Sequence, residues 1–140
     1  PWKMGDDAAL LDVVSSANIA CGFHAGDPDV MAATMGRAVA RGVGIGAHPG
    51  FRDLQGFGRN RMDVPRATLA NQVRYQLGAA QGMARAAGGT VRHLKLHGAL
   101  ANMAFGSEEL REAVLETGAE PGRWATLLAP LRKPQGELTE

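Results

Sequence analysis

Cysteine is nearly absent from this sequence: Cys21 is the only one in 140 residues. No disulfide can form within the chain, and a reducing cytoplasm is the expected compartment. Long apolar runs are missing too, since none approaches the roughly 18 residues a membrane span needs, and no signal peptide is visible. Nor is there an excess of one charge. Fifteen Lys and Arg against 14 Asp and Glu leave a net +1, and the basic residues are scattered, which argues against nucleic acid or an anionic membrane as partner. A Walker-type G-x-x-x-x-G-K-[ST] loop is lacking, so any ATP chemistry must draw on other loops or on a partner protein. There is no H-E-x-x-H helix to fix a metal by spacing alone. The chain also lacks an initial methionine, starting at Pro1, and further sequence is expected upstream.

What is present describes a folded α/β protein. The hydrophobic fraction of 45% excludes disorder, and 140 residues suit one domain but are short for a complete barrel. Three stretches share one grammar, an apolar run that leads to a histidine within two residues of a glycine or proline. They are S-A-N-I-A-C-G-F-H-A-G-D-P at Ser16 to Pro28, V-G-I-G-A-H-P-G at Val43 to Gly50, and V-R-H-L-K-L-H-G-A at Val91 to Ala99. Strands are read over Ala17 to Cys21, Val43 to Ala47 and Val91 to Leu96. Between them, apolar residues spaced by three and four predict helices. Asp27 and Pro28 open the first of these, with Val30, Met31, Met35, Ala38 and Val39 on one face and Gly42 as its stop. Leu69, Val73, Leu77, Ala80, Ala84 and Ala87 mark the second, closed by Gly88 and Gly89. Short helices are also expected over Met4 to Val14 and from Ser107 to Glu116. Strand, loop, helix, strand implies a parallel sheet.

Pro49 to Asp63 has no period, and its phenylalanines, Phe51 and Phe57, favour an ordered binding loop. After Gly118 three prolines and the loss of periodicity predict a loosely structured tail, so a domain is drawn over 1–118 and a divergent tail over 119–140.

In parallel α/β folds the chemistry gathers at the carboxyl ends of the strands. His24, His48 and His97 fall there, with Lys95, and are the candidate catalytic residues. Asn18, Asp27, Asp53, Arg59 and Asn102 are the candidate substrate-binding residues. Imidazoles with a carboxylate suit a divalent zinc or manganese ion, for which His24 and His48 are the candidate ligands. Each has a structural alternative: a strand-end histidine can be merely hydrogen-bonded, Asp27 can be a helix cap, and the loop arginines Arg52, Arg59 and Arg61 can be solvated. Cys21 reads as a small buried hydrophobe more readily than as a nucleophile. Met4, Met31, Met35 and Met83 are read as core filling.

The motifs W-K-M-G-D-D-A-A-L-L, S-A-N-I-A-C-G-F-H-A-G-D-P, I-G-A-H-P-G-F-R-D-L-Q-G-F-G-R and H-L-K-L-H-G-A-L-A-N together resemble the LamB/YcsF family, the A subunits of bacterial 5-oxoprolinases. The resemblance runs from Pro1 to about Ala104, and the tail resembles nothing in the family. It implies an irregular, seven-stranded-type β/α barrel of parallel strands, like the glycoside hydrolase and deacetylase fold, here incomplete. An acidic first strand reading like D-L-N-C-D-L-G-E is expected upstream, and the unpaired sheet edges left by an incomplete barrel favour self-association. Where the family reads K-P-H-G-A-L-Y-N, this chain has Lys95-Leu96-His97-Gly98-Ala99-Leu100-Ala101-Asn102.

The function so implied is cleavage of 5-oxoproline, a small lactam, to L-glutamate with hydrolysis of ATP, in a cytoplasmic complex with 5-oxoprolinase subunits B and C. Two other readings compete with it. One is a stand-alone metal-dependent deacetylase or amidase, and the other a truncated, non-catalytic binding or assembly module.

Overall fold

The computed structural model describes residues 6–115. Among them, β1 (Ser16–Ala20), β2 (Gly44–His48) and β3 (Val91–Leu94) form one parallel sheet in the order β1-β2-β3. Ser16 pairs with Gly44 and Ala20 with His48, while β2 meets β3 through Ile45 with Val91 and Ala47 with Leu94, with an irregularity at Ile45 and Gly46. Within the described residues, β1 and β3 each pair on one side only.

The helices α2 (Pro28–Ala40) and α3 (Arg66–Ala86) pack on one face of this sheet. That face carries Ile19, Ile45, Ala47 and Leu94, all buried, against Met31, Met35 and Ala38 of α2 and Leu69, Val73, Leu77, Ala80 and Ala84 of α3. Each fully buried Leu, Met or Val contributes roughly 1.5–3 kcal/mol relative to exposure. Period-2 alternation turns Ser16, Asn18 and Gly46 to the opposite face, where Asn18 is exposed. One face of the sheet builds the core, and among the described residues no helix packs over the other.

Helix ends follow the expected rules. Asp27 caps α2 by accepting from the Val30 N–H at 2.8 Å, and Pro28 takes the first position. Gly42 and Gly88 follow α2 and α3 with φ of 70° and 81°, a left-handed conformation that closes the last turn.

Several boundaries differ from the sequence expectation. The helix of Met4 to Val14 is a single turn, α1 (Asp7–Leu11), with Asp6 accepting from the Ala9 N–H at 3.0 Å; Met4 itself lies outside the described residues. β2 runs one residue later than expected, so His48 closes the strand, and β3 stops at Leu94, two residues short, although the Lys95 N–H still reaches the Ala47 carbonyl at 2.9 Å. A helix not expected from the sequence, α4 (Gly98–Gly106), follows directly. Its sequence G-A-L-A-N-M-A-F-G is nearly all apolar and starts on glycine, so it shows neither an amphipathic period nor a cap. α5 (Glu108–Leu115) starts after Ser107, whose hydroxyl accepts from the Leu110 N–H at 3.3 Å. The boundary at 118 and the tail over 119–140 lie outside the described residues.

Candidate active site

The three repeated motifs deliver their histidines to one place. His24 sits in the turn after β1, held by a Gly22 N–H bond to the Ala25 carbonyl at 2.9 Å. His48 is the last residue of β2 and His97 is the residue before α4. All are at carboxyl ends of parallel strands, so their side chains converge, and one nitrogen from each lies within 4.8 Å of the others. His24 is 1% exposed and stacks face to face on His97, with centroids 3.8 Å apart and planes 3° from parallel. His48 stands edge-on to both. Such contact requires bare backbone on the facing loop: a Cβ at Gly50 would lie 2.7 Å from His24 Nδ1, and one at Gly58 would lie 2.8 Å from His24 Cβ and His97 Cδ2.

Backbone carbonyls decide where the ring protons are. His48 Nδ1–H donates to the Lys95 carbonyl at 2.6 Å, and His97 Nε2–H donates to the Phe57 carbonyl at 2.8 Å. Since carbonyls only accept, both remaining nitrogens, His48 Nε2 and His97 Nδ1, carry lone pairs in the neutral rings. They face each other at 3.0 Å. His24 Nδ1 is buried without a partner. Burial lowers the His24 pKa from 6.5 to about 3, helped by the charges of His97 and His48. Burial likewise lowers His48 to about 4, against the bond to the Lys95 carbonyl, with His97 and Lys95 adding to the fall. Both are therefore neutral bases at pH 7.

The loop over 49–63 is ordered, as its phenylalanines suggest. Phe51 is buried in the core, and Phe57 takes a positive φ of 55° while its carbonyl anchors His97. Asp53 organises the turn by accepting from the Gly56 N–H at 2.9 Å and the Asn60 N–H at 3.2 Å. Burial pushes its pKa up, but these bonds and one from the Asn60 side chain hold its carboxyl below the usual range. Gln76 was not singled out in the sequence. It is fully buried on α3, accepts from the Gly50 N–H at 3.1 Å and donates to the Gly50 carbonyl at 2.9 Å, clamping the start of the loop beneath His24. The signal was there: a glutamine between Val73 and Leu77 on an apolar stripe.

Of the other residues singled out, Lys95 lies beside His48 with an exposed side chain. Arg59 and Asn102 come together with Arg61 along an adjacent open cleft of about 700 Å³ between the loop and α4 and α5, where Arg59 also lies over the Phe57 ring at 5.4 Å. Asp27 caps α2, the structural alternative weighed for it. Asn18 lies lower on the open face of the sheet, where its Oδ1 is 3.0 Å from His93 Nε2; the same nitrogen is 3.2 Å from Ser16 Oγ. The His93 ring crosses bare Gly46, whose Cβ would come within 2.0 Å of it. Cys21 is buried, donates to the Ile19 carbonyl at 3.3 Å, and is pushed by burial to a pKa of about 11, which rules out a resting thiolate.

Residues 1–135 match the LamB/YcsF family. The chain belongs to the LamB/YcsF family. The match continues well past Ala104 into the segment expected to resemble nothing in the family. This LamB/YcsF chain is 70% identical over 113 residues to the 5-oxoprolinase A subunit of Ruegeria pomeroyi, an overlap covering 81% of the chain and 45% of that protein. It is 54% identical over 129 residues to the protein of that name from Nocardia farcinica, covering 92% and 52%. Its fold is similar to the crystal structure of a lactam utilization protein from Thermus thermophilus, with a TM-score of 0.79 and 42% identity over 81% of this chain and 46% of that one. The chain spans about half the length of the relatives it matches.

Proposed function

We propose that this chain is the histidine-bearing part of the A subunit of a 5-oxoprolinase, in which the mouth formed by His24, His48 and His97 binds 5-oxoproline or its phosphorylated form and opens the lactam ring. The observation that carries this reading is the convergence of the three imidazoles in a chain up to 70% identical to proteins of that name. The three-stranded sheet is then an arc of an irregular seven-stranded-type β/α barrel of the glycoside hydrolase and deacetylase kind.

Ring opening adds water across an amide C–N bond. The water oxygen bonds to the carbonyl carbon, the C–N bond breaks, and the proton taken from water finishes on the released nitrogen, giving glutamate. A neutral imidazole touching that water can take the proton and return it to nitrogen. Lys95 beside His48 meets the charge developing on the carbonyl oxygen. Arg59 and Asn102, in the adjoining cleft, suit the substrate carboxylate. ATP hydrolysis belongs to the cytoplasmic complex with subunits B and C, with the nucleotide held by other loops or by a partner protein.

The test is glutamate formation from 5-oxoproline by this chain combined with subunits B and C and ATP. His97→Ala is expected to lower turnover by ~100-fold or more, whereas His93→Ala, on the sheet face below, leaves it within a few-fold. Unchanged turnover in His97→Ala overturns the reading. ATP-independent hydrolysis of an amide or acetyl ester by the chain alone would favour the stand-alone deacetylase or amidase instead.

A further inference from the structure

The facing nitrogens of His48 and His97 are left unexplained by a purely structural role. A neutral imidazole has one proton, and in each ring a backbone carbonyl claims it, Lys95 for one and Phe57 for the other. Two lone pairs then point at one another across 3.0 Å in a part-buried site. With nothing between them this contact is repulsive, and the surrounding backbone nevertheless holds it. What relieves it is positive charge placed between the two nitrogens.

We infer that His48 Nε2 and His97 Nδ1 are the two fixed ligands of a divalent transition-metal site, with His24 as its third ligand. Two imidazole nitrogens about 2.1 Å from one tetrahedral ion stand about 3.4 Å apart, so the 3.0 Å pair has to open by only a few tenths of an ångström to admit one. The outer hydrogen bonds are those of metal-binding histidines, whose second nitrogen donates to a carbonyl or carboxylate that sets the tautomer and aims the ring. The third imidazole is already in place, with one of its nitrogens within 4.8 Å of the other two. His24 lies parallel to His97 rather than pointing its lone pair at the same spot, so ligation requires its ring to turn.

The donor set also selects the ion. Among the described residues the cluster has three imidazoles and no carboxylate, a set that suits zinc, cobalt, nickel or copper better than manganese, magnesium or calcium. Asp27 and Asp53 are not in the cluster; their oxygens serve Val30 in one case and Gly56 and Asn60 in the other. Such a site supplies Lewis acidity and a water of lowered pKa. The inference does not depend on the substrate, but nitrogens that hold an ion cannot also take a proton from water, so in that case the base of the lactam reading would be the ion's water rather than an imidazole.

The test needs neither substrate nor nucleotide. The full chain is stripped with chelator, equilibrated with zinc and analysed for metal content, with affinity taken from calorimetry and geometry from the visible spectrum of the cobalt form. About one zinc per chain is expected, at micromolar affinity or tighter. His48→Ala and His97→Ala should each weaken it by more than ~100-fold, beyond the 10–100-fold typical of losing an outer-shell partner. His24→Ala should weaken it less, by ~10-fold, and His93→Ala not at all. His97→Cys keeps a ligand and should retain cobalt with a shifted spectrum, which guards against an alanine variant that fails to fold. Absence of stoichiometric zinc, as would follow if a shared proton rather than a metal joins the two rings, overturns the inference. So does an equal loss in His93→Ala.

Discussion

Imidazoles occupy two places on the open side of this sheet, three of them together at its carboxyl edge and His93 by itself further down, opposite Gly46. At the edge, His48 and His97 are anchored from behind by carbonyls, so their lone pairs face forward with no donor among the described residues. Lower down, His93 turns one nitrogen to the Asn18 amide oxygen and the Ser16 hydroxyl, across a glycine that makes room for its ring. The residue type is the same. What differs is whether the hydrogen bonding is completed by neighbouring side chains or left open, and only the open arrangement offers lone pairs to a proton, a cation or a substrate. His93 and His97 are four apart in sequence, yet four residues of extended chain span roughly 13 Å, so H-L-K-L-H divides its histidines between the two places.

Adding a methyl at each place should separate their roles most sharply. Gly58→Ala puts a Cβ 2.8 Å from His24 and His97 at a backbone φ of 66°, and it is expected to displace the cluster and lower turnover and zinc affinity by ~100-fold. Gly46→Ala puts its Cβ 2.0 Å from His93 Nε2; it should cost about 1–3 kcal/mol of stability from overpacking while turnover stays within a few-fold. Denaturant melts and glutamate assays on both variants check this. Equal loss of turnover in the two breaks the comparison.

A smaller effect is expected at Asp27, next to the edge set but occupied in capping α2. Asp27→Ala should cost about 1 kcal/mol, and Asp27→Asn, which also caps, only a few tenths. Turnover should survive in Asp27→Asn; a stable but inactive Asn variant would return this carboxylate to the chemistry.

The smallest effect belongs to Cys21, between β1 and the His24 turn. Burial raises its thiol from 9.0 to about 11, so its contribution to stability is complete below about pH 9 and is lost as pH rises from there towards 11. At pH 8 the native chain should resist iodoacetamide and the urea-unfolded chain should react. Rapid native labelling would mean that the loop opens around this cysteine.

The legible parts of the fold were those with a local cause. Asp27-Pro28, Ser107, Gly42 and the long apolar stripe of α3 mark their helices because capping and 3.6-residue periodicity act over a few neighbours. α4 escaped because it lies in contact with α5 and the loop and is apolar on nearly every side, so no face stands out. Asp53 illustrates the same limit: nothing in F-R-D-L-Q-G says that its oxygens serve Gly56 and Asn60.

By itself, the sequence determined that three histidines would stand at the ends of three parallel strands, since an apolar run, a site residue and a glycine or proline are read locally. It also determined the family, through motifs long enough to be specific. Tertiary structure alone decided which nitrogens those histidines offer. That depends on the carbonyls of Lys95 and Phe57, brought up by a neighbouring strand and a loop, and on Gln76 holding that loop from α3. A hydrogen bond between residues 40 or 50 positions apart leaves no periodic trace in the chain, yet it fixes the proton on one side of a ring and frees the other side to bind.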